Sequence, residues 1–449
     1  MRGRVWLRVC AGAGAVLAAG VLSGCGGGVV SGTGKTVTTV AAAAQGIVMG
    51  GQQPVAGVTI QLYQAGTSGY GSAATPLGAS VQTNASGVFT LPSYSCAAGS
   101  QIYLVGTGGQ PIAATMSSPA VTNNNLALMV GLGTCGGISV NSFINVNELT
   151  TVATVWALAP FMAGIANIGS SATNAAGLAD AFAAINELVT TANGALPGPA
   201  LPTGAAIPTA EIDTLADILG QCINSGGGTA GDGSDCGSLF ELAPNAAGTV
   251  YPTDTITAAM NIAQSPGRNV SGLNQLRSST PPFEPTISIN SPPSAWTLAI
   301  TYVGGGLSAP SSIVADAAGA VWVSNKGNSS VTKLNNAGAA VSGAGGFTAG
   351  GFSAPSAIAI DGSGNAWVAN SGNNTVTELN STGSSGTVYS GNGLNAPAAI
   401  AIDGSGDVWV ANGGSNSVSG FTSGGAALSG SPYSGGGTSA AASVAATPK

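Results

Sequence analysis

The last third of the chain contains one motif in three copies. The copies are Leu307-Ser-Ala-Pro-Ser-Ser-Ile-Val-Ala-Asp-Ala-Ala-Gly-Ala-Val-Trp-Val-Ser-Asn325, Phe352-Ser-Ala-Pro-Ser-Ala-Ile-Ala-Ile-Asp-Gly-Ser-Gly-Asn-Ala-Trp-Val-Ala-Asn370 and Leu394-Asn-Ala-Pro-Ala-Ala-Ile-Ala-Ile-Asp-Gly-Ser-Gly-Asp-Val-Trp-Val-Ala-Asn412. Their tryptophans, Trp322, Trp367 and Trp409, are 45 and 42 residues apart. A period of roughly 40–45 residues is typical of one four-stranded propeller blade. The repeats therefore predict a β-propeller over residues 295–449.

Each copy has the local composition of strands joined by turns. In the second copy, residues 358–360 are expected as an inner strand and 366–369 as the next, with the Gly-rich turn 361–364 between them. A second turn leads into a third strand over 375–379.

The number of copies is small for a closed ring, because propellers typically have about four blades or more. One hypothesis is a thin four-bladed ring, in which residues 296–303 supply an outer strand and 438–446 an inner strand of one composite blade. The alternatives are an open propeller or closure by a second chain.

The copies resemble NHL repeats and the propellers of the virginiamycin B lyase (streptogramin lyase) group. That resemblance implies a channel that holds a histidine base and a divalent metal ion. The chain contains no histidine, so no functional residue of that group can be assigned to it. Ser–His and Cys–His mechanisms lack their base for the same reason. We expect no cofactor and no metal site.

Aspartate and tryptophan recur at fixed positions of the repeat. The recurring residues are Asp316, Asp361, Asp403, Trp322, Trp367 and Trp409. Aspartate is favoured in β-turns for its side-chain hydrogen bonds, so a structural role is expected, with metal or substrate binding in the channel as the alternative. The tryptophans are expected in the blade cores rather than in a ring that stacks on a ligand.

Residues 1–24 have the features of an export signal. Three arginines precede the uncharged run 9–22, which is shorter than the roughly 20 residues of a membrane span and suits a signal peptide. The sequence Leu22-Ser-Gly-Cys25 is similar to the lipobox of bacterial lipoproteins. This resemblance implies cleavage before Cys25 and acylation of that residue; ordinary cleavage or an uncleaved anchor are the alternatives. Residues 25–44 are expected to form a flexible tether.

These features predict an exported protein held in the bacterial cell envelope by a lipid anchor. We favour the outer membrane or cell surface, because Gly26 replaces the aspartate that favours inner-membrane retention. Only 6% of the residues are charged and the net charge is −7. No basic stripe is present, which argues against nucleic-acid binding.

The cysteines support export. Apart from Cys10 in the signal and Cys25, the chain has four cysteines: Cys96, Cys135, Cys222 and Cys236. An even number in an oxidising compartment predicts two disulfides. Three pairings are possible, and we favour Cys96–Cys135 with Cys222–Cys236 because each bond then stays within one predicted module.

Residues 45–140 have alternating apolar positions, as in Val58, Ile60 and Leu62, which predict half-buried strands. Turn residues 84–87 precede another such strand. The pattern resembles the carboxypeptidase-regulatory-like, transthyretin-like β-sandwich. That resemblance implies a stalk or adhesion domain.

Residues 143–280 are expected to form a small α-helical module. Helices are predicted over 148–159, 175–192, 210–223 and 255–264. Glu211, Asp213 and Asp217 fall on the third helix, where we expect them to be solvated. Five prolines in 278–294 predict a semi-rigid linker over 281–294.

The predicted fold is multidomain and mainly β: a β-sandwich, a small helical module and a short propeller. We interpret the chain as a non-enzymatic binding or scaffolding lipoprotein with an unknown protein or glycan ligand, and as a homo-oligomer if the propeller is open. One alternative is a streptogramin-lyase-like or carboxylate-based enzyme, which would bring acids, or Lys326 and Lys333, together in the propeller channel. The other is a purely structural envelope protein.

Overall fold

The structure is a computed structural model that describes residues 37–40, 44–111, 120–139, 141–435 and 443–445. These residues form a mainly β protein with six α-helices. The predicted signal peptide, Cys25 and most of the tether lie outside the described residues, as does most of the segment 438–446. None of the helices in the described part combines the length and apolar composition needed to cross a bilayer.

The N-terminal half contains two four-stranded sheets and two two-stranded ones among the described residues. Its strands are β1 (Val37–Val40), β2 (Gln45–Gly50), β3 (Gln53–Pro54), β4 (Thr59–Gln64), β5 (Thr75–Gln82), β6 (Val88–Thr90), β7 (Tyr94–Ala97), β8 (Gln101–Thr107), β9 (Ala127–Thr134), β10 (Phe143–Val146), β11 (Met162–Gly164) and β12 (Asn167–Ile168). One four-stranded sheet is antiparallel with the order β5-β4-β8-β9, and β2 of the other pairs with β3, β6 and, in parallel, β10. The two-stranded sheets are β1-β7 and β11-β12. The alternating residues Val58, Ile60 and Leu62 are buried, as their pattern predicts.

Six helices pack on these sheets. They are α1 (Glu148–Leu158), α2 (Ala175–Leu188), α3 (Thr209–Ile223), α4 (Asp235–Leu242), α5 (Thr255–Gln264) and α6 (Val270–Asn274). Four were predicted, and α4 and α6 were not. Asn147 caps α1 in a capping box: its side chain accepts from the Thr150 amide, and the Thr150 hydroxyl accepts from the Asn147 amide. Helix α2 ends at Leu188, four residues before its predicted end.

Helical threonines cover the free edge of the β5-β4-β8-β9 sheet. The amide of Met129 in β9 donates to Thr151 Oγ1 at 3.0 Å, and that of Gly131 to Thr154 Oγ1 at 2.9 Å. The Ala127 amide donates to Thr255 Oγ1 of α5 at 2.9 Å. An edge strand otherwise presents unpaired backbone groups. These bonds fix α1 and α5 to the sheet.

The sheets and the helices share one hydrophobic core. Leu104 and Met129 from the strands belong to the same buried cluster as Leu219 and Ile256 from the helices. The Pro-rich segment 281–294 also packs on this body, since Phe283 is buried in its core. The described residues between 44 and 296 therefore form one body, the N-terminal body.

The predicted outer strand over 296–303 is wrong. The Trp296 side chain is buried in the core of the N-terminal body and its amide donates to the carbonyl of Pro266. Thr301 forms an isolated bridge with Ala206 of the same body. This stretch packs on the N-terminal body instead of the repeats because its large apolar residue, Trp296, is buried there.

Two disulfides are present, with the favoured local pairing. Cys96–Cys135 joins β7 to the residue after β9. Cys222–Cys236 joins α3 to α4 and closes the Gly-rich loop between them.

The repeats form three successive antiparallel sheets, and the predicted mainly β, propeller-like fold class is confirmed. Their strands are β13 (Pro310–Ala315), β14 (Val321–Asn325), β15 (Ser330–Leu334), β16 (Pro355–Ile360), β17 (Ala366–Asn370), β18 (Thr375–Leu379), β19 (Gly386–Ser390), β20 (Pro397–Ile402), β21 (Val408–Asn412), β22 (Ser417–Phe421) and β23 (Tyr433–Ser434). The sheets β13–β15, β16–β19 and β20–β23 are the first, second and third blades. In the first blade, isolated bridges at Phe347 and Ala340 take the place of a fourth strand.

The inner strands of successive blades lie side by side and are joined by a repeated bond. Ser311 Oγ of the first blade donates to the Pro355 carbonyl of the second at 2.6 Å. Ser356 Oγ of the second blade donates to the Pro397 carbonyl of the third, also at 2.6 Å. The blades are therefore stacked with one recurring geometry.

Candidate functional site

The three recurring aspartates hold the turns of their own blades. One carboxylate oxygen of Asp361 accepts from the amides of Ser363 and Asn365, and the other accepts from the indole of Trp367 at 3.1 Å. Equivalent bonds join Asp316 to Trp322 and Asp403 to Trp409, each at 3.0 Å. These bonds lie within single blades. Each carboxylate therefore accepts hydrogen bonds from its own turn and from the indole that follows it.

In the first blade the recurring aspartate also forms an ion pair, between Asp316 after β13 and Lys333 of β15. Burial raises the pKa of Asp316, but the bonds from Trp322, Ala320 and Ala318 and the charge of Lys333 together hold it below its usual value. Lys333 Nζ is 3.4 Å from the Asp316 carboxylate and 4.3 Å from the centre of the Trp322 ring. It also donates to the Ser381 carbonyl of the second blade.

A recurring asparagine was not singled out from the sequence. It ends the second strand of each blade, as Asn325, Asn370 and Asn412, and it is fully buried. In the second blade its side-chain amide donates to the hydroxyls of Thr375 and Thr377. The sequence feature that could have identified this asparagine is its fixed position after the tryptophan of each repeat. Its hydrogen bonds stabilise the blade.

Each blade has two apolar faces. The leading face is directed at the preceding blade and the trailing face at the following blade. The leading face of the second blade comprises Ile358, Ala366, Val368 and Leu379, and it packs against Trp322 and Val331 of the first blade. The trailing face of the second blade comprises Ala357, Trp367, Ala369 and Val376. It packs against the leading face of the third blade, which comprises Ile400, Val408, Val410 and Phe421. Each internal joint thus places a trailing face on a leading face.

The leading face of the first blade has no such partner among the described residues. It comprises the equivalent residues Ile313, Val321, Val323 and Leu334, of which Val323 and Leu334 are buried and Ile313 and Val321 are not. Ile313 is 68% exposed, whereas Ile358 and Ile400 at the same position are 6% and 9% exposed. Pro310 is exposed as well, although its equivalents Pro355 and Pro397 are buried.

A groove of about 580 Å³ lies on this leading face. The four face residues line it, together with Pro310, Leu307 and Tyr302. Tyr302 comes from the segment that follows the N-terminal body, and its hydroxyl donates to Glu187 of α2 at 2.6 Å. The groove is therefore mostly apolar, with a wall fixed by the N-terminal body.

The trailing face of the third blade is also incompletely covered. It comprises Ala399, Trp409, Ala411 and Val418, of which Ala411 is buried and the other three are partly exposed. The equivalent tryptophans Trp322 and Trp367 have no exposed surface. Among the described residues, Tyr433 packs on Trp409 with 5.7 Å between ring centres, and Tyr433 is itself exposed.

A second candidate site is an acidic cleft in the N-terminal body, with a volume of about 420 Å³. Asp213 and Glu284 line it together with asparagine and glutamine side chains. Glu148 and Asp217 are fully buried. Glu148 accepts from the Gly51 amide at 2.6 Å, and Asp217 from the Phe283 amide at 3.2 Å.

The expectation that the acids of the third helix are solvated is wrong for two of them. Asp213 is 4% exposed and Asp217 is fully buried, because the Pro-rich segment with Phe283 lies over α3. One oxygen of Glu148, of Asp213 and of Asp217 has no hydrogen-bond partner among the described residues.

Burial is the main cause of the raised pKa values of the carboxyl groups in and around this cleft. It raises the pKa of Asp217 to about 7, with further upward effects from the charges of Asp213 and Glu284. It raises the pKa of Glu148 to about 7 and that of Asp213 to about 6. Within the described residues, no three His, Cys, Asp or Glu side chains are grouped closely enough to hold a metal ion.

Comparison with known proteins gives similarity to solved structures alone: no family model and no curated protein matches the chain. A streptogramin B lyase structure is 19% identical over 31% of this chain and 45% of its own, with a TM-score of 0.27. The virginiamycin B lyase of Staphylococcus aureus is 19% identical over 29% of this chain and 42% of its own, with a TM-score of 0.25. Hydrazine synthase of Kuenenia stuttgartiensis is 19% identical over 28% and 37%, with a TM-score of 0.23.

The chain spans less than half the length of each of these structures. The propeller-like architecture described here rests on the strand pairing of the three blades and on their repeated stacking.

Proposed function

We propose that the chain is an exported lipoprotein of the bacterial cell envelope that acts as a non-enzymatic binding or scaffolding protein through its NHL-like repeats. The observation that carries this proposal is the exposed apolar part of the first blade's leading face, where Ile313 is 68% exposed and Pro310 is exposed beside it. Contiguous apolar surface of this kind marks interaction sites on soluble proteins. A protein or glycan partner is the ligand class that we assign to it.

The chemistry-bearing residues of the repeats support a binding role. The recurring aspartates and the buried asparagines make bonds within their own blades, and Lys333 bonds to its own blade and to the next. The chain has no histidine to act as the base that the lyase resemblance implies. The remaining surface of the first blade offers shape and apolar area rather than a set of reacting groups.

The proposed anchor is the acylated Cys25, followed by the tether. The two disulfides are in keeping with an oxidising compartment. Residues 45–140, carboxypeptidase-regulatory-like in their strands, would act as a stalk together with the helices that share their core, and this body would carry the repeats away from the outer membrane. Labelling cells with an alkyne-modified palmitate tests the anchor: the chain should be labelled and sediment with membranes, and Cys25→Ala should lose both properties. An unlabelled wild-type chain would contradict lipid anchoring.

The binding role is tested by photo-crosslinking in cells that make the whole chain. A photo-reactive amino acid at position 313 should give one discrete crosslinked product. The matched control is position 388, because Val388 is also exposed, at 47%, but lies on the outer strand of the second blade. Equal or absent crosslinking at the two positions would overturn the binding role and favour a purely structural envelope protein.

One observation favours an enzyme as the second candidate. Asp213 and Glu284 line a cleft, and burial raises the pKa of Asp213 to about 6. Carboxylate-based hydrolases use a pair of carboxyl groups in a cleft, one of them with a raised pKa. This cleft lies in the N-terminal body rather than in the predicted propeller channel. Glycan hydrolysis that is abolished by Asp213→Asn in a folded chain would establish this reading; activity unchanged by the substitution would exclude it.

A further inference from the structure

We propose that the partner of the repeats is a second copy of this chain, bound head to tail, so that two copies close one ring of six blades. The inference rests on the proposed binding role and names its ligand. In each joint, the trailing face of the third blade of one copy would pack on the leading face of the first blade of the other. A ring of six blades falls within the roughly four to eight that propellers have.

The two uncovered faces are complementary because the chain already joins their equivalents twice. The first–second joint packs Trp322 against Ile358, and the second–third joint buries Trp367 with Ile400. The uncovered faces hold the same two residue types, Trp409 on one end and Ile313 on the other. The new joint would therefore continue an interface that is already formed within the chain.

The end faces also lack the features of a terminal repeat that faces water. Stacked repeat proteins usually end in capping repeats with a polar outer face. Here the first blade retains Ile313, which is 68% exposed, and Val321, which is partly exposed, at positions that are buried in the other blades. Their character fits a face that is covered in the assembled protein.

The backbone conformation at the start of the first blade is the one that contacts a preceding blade at the other two joints. Ala354 and Ala396 both have a positive φ, and their amides donate to Ser329 and Asn374 of the blade before. Ala309 adopts the same conformation, with φ 43°. No described residue accepts a hydrogen bond from its amide.

The third blade lacks the serine that bonds to the next blade in the first and second blades, and restoring it should increase the affinity of the proposed joint. Ser311 and Ser356 donate to the next blade's proline carbonyl, but the third blade has Ala398 at that position. In the proposed dimer, Ala398 would face Pro310 of the second copy. Ala398→Ser should then add the missing bond and tighten the dimer by roughly 2- to 10-fold per joint.

The decisive test is complementation between two blocked variants of the whole chain, with mass measured by light scattering in detergent. Ile313→Arg blocks the leading face and Ala399→Arg blocks the trailing face, and each should weaken self-association by more than about tenfold, because each places an unpaired charge in an apolar joint. An equimolar mixture should dimerise again, since one intact joint remains. This recovery also shows that both variants are folded.

The outcomes separate this inference from the proposed function. A dimeric wild-type chain, monomeric variants and a dimeric mixture support the head-to-tail ring. A monomeric wild-type chain, a dimeric Ala399→Arg chain or a mass that grows beyond two copies overturns it. If the wild-type chain is monomeric but position 313 still crosslinks to a product of another mass, the binding role stands with a different partner. A crosslink within one chain would assign the face to the chain's own last residues instead.

Discussion

The indole of Trp367 donates a hydrogen bond to the carboxylate of Asp361, six residues earlier, across a turn that the same carboxylate holds closed. The bond recurs in all three blades. It links the local turn chemistry to the largest side chain of the blade core. A single carboxylate thus fixes both the hairpin and the ring that packs on the next blade.

Asp361→Asn should destabilise the repeats. The amide can still accept from the turn, but it loses the charge that strengthens the indole bond, and its NH₂ group faces another donor if it turns toward the ring. We expect a loss of about 1–3 kcal/mol in the free energy of unfolding. Urea unfolding followed by tryptophan fluorescence measures it. The matched control, Asp180→Asn at an exposed site of α2, should change little; equal effects would contradict the assigned role.

Thr151→Val should loosen the contact between α1 and the sheet. The substitution keeps the shape of the side chain but leaves the buried Met129 amide without its acceptor. The cost of such an unsatisfied donor is about 1–3 kcal/mol. Amide hydrogen exchange at Met129 should accelerate more than at Leu104 of β8, which lies inside the same sheet. Unchanged exchange at Met129, with Thr249→Val as an exposed control, would show that the edge is not held by this hydroxyl.

Stability of the N-terminal body should fall as the pH rises from about 4 to 7. Asp217 and Glu148 have folded-state pKa values of about 7, above their usual 3.8 and 4.5. The folded state therefore binds more protons than the unfolded state in that window, and its advantage is lost as the pH rises through the folded-state values. The midpoint of thermal unfolding, measured at pH 5 and pH 8, should be higher at pH 5.

Asp217→Asn should weaken this pH dependence, because the amide stays neutral. It should also raise the free energy of unfolding at pH 8 by an amount on the order of 1 kcal/mol. Asp180→Asn serves again as the exposed control. A midpoint that rises with pH, or an Asp217→Asn chain with an unchanged profile, would contradict the buried position of this carboxylate.

Local signals made much of the fold predictable. The turn residues after Ile360 and the helical pattern of residues 148–159 act within a few residues, and the strand and helix bounds of the structure follow them closely. The favoured disulfide pairing also followed from keeping each bond within one predicted module. These features depend on contacts that a single segment of sequence contains.

The remaining features depend on contacts between distant segments. Asp217 is buried because residues around Phe283 pack over α3, and a Pro-rich stretch carries no periodicity that would announce such packing. The threonines that cover β9 look like ordinary helical residues until the sheet is present. The exposure of Ile313 on the leading face could not be predicted for a different reason. Ile313 and the buried Ile358 occupy equivalent positions of the repeat, so the sequence does not distinguish them.

Hydroxyl-radical footprinting of intact cells tests most directly whether a partner covers the leading face. Ile313 and Val250 are similarly exposed in the structure of the chain alone, at 68% and 60%, so oxidation of Val250 provides an internal reference. If the repeats bind a partner through this face, Ile313 should be oxidised several times more slowly than Val250 in cells. Equal oxidation of the two residues would mean that the face is bare in the envelope and would contradict the account.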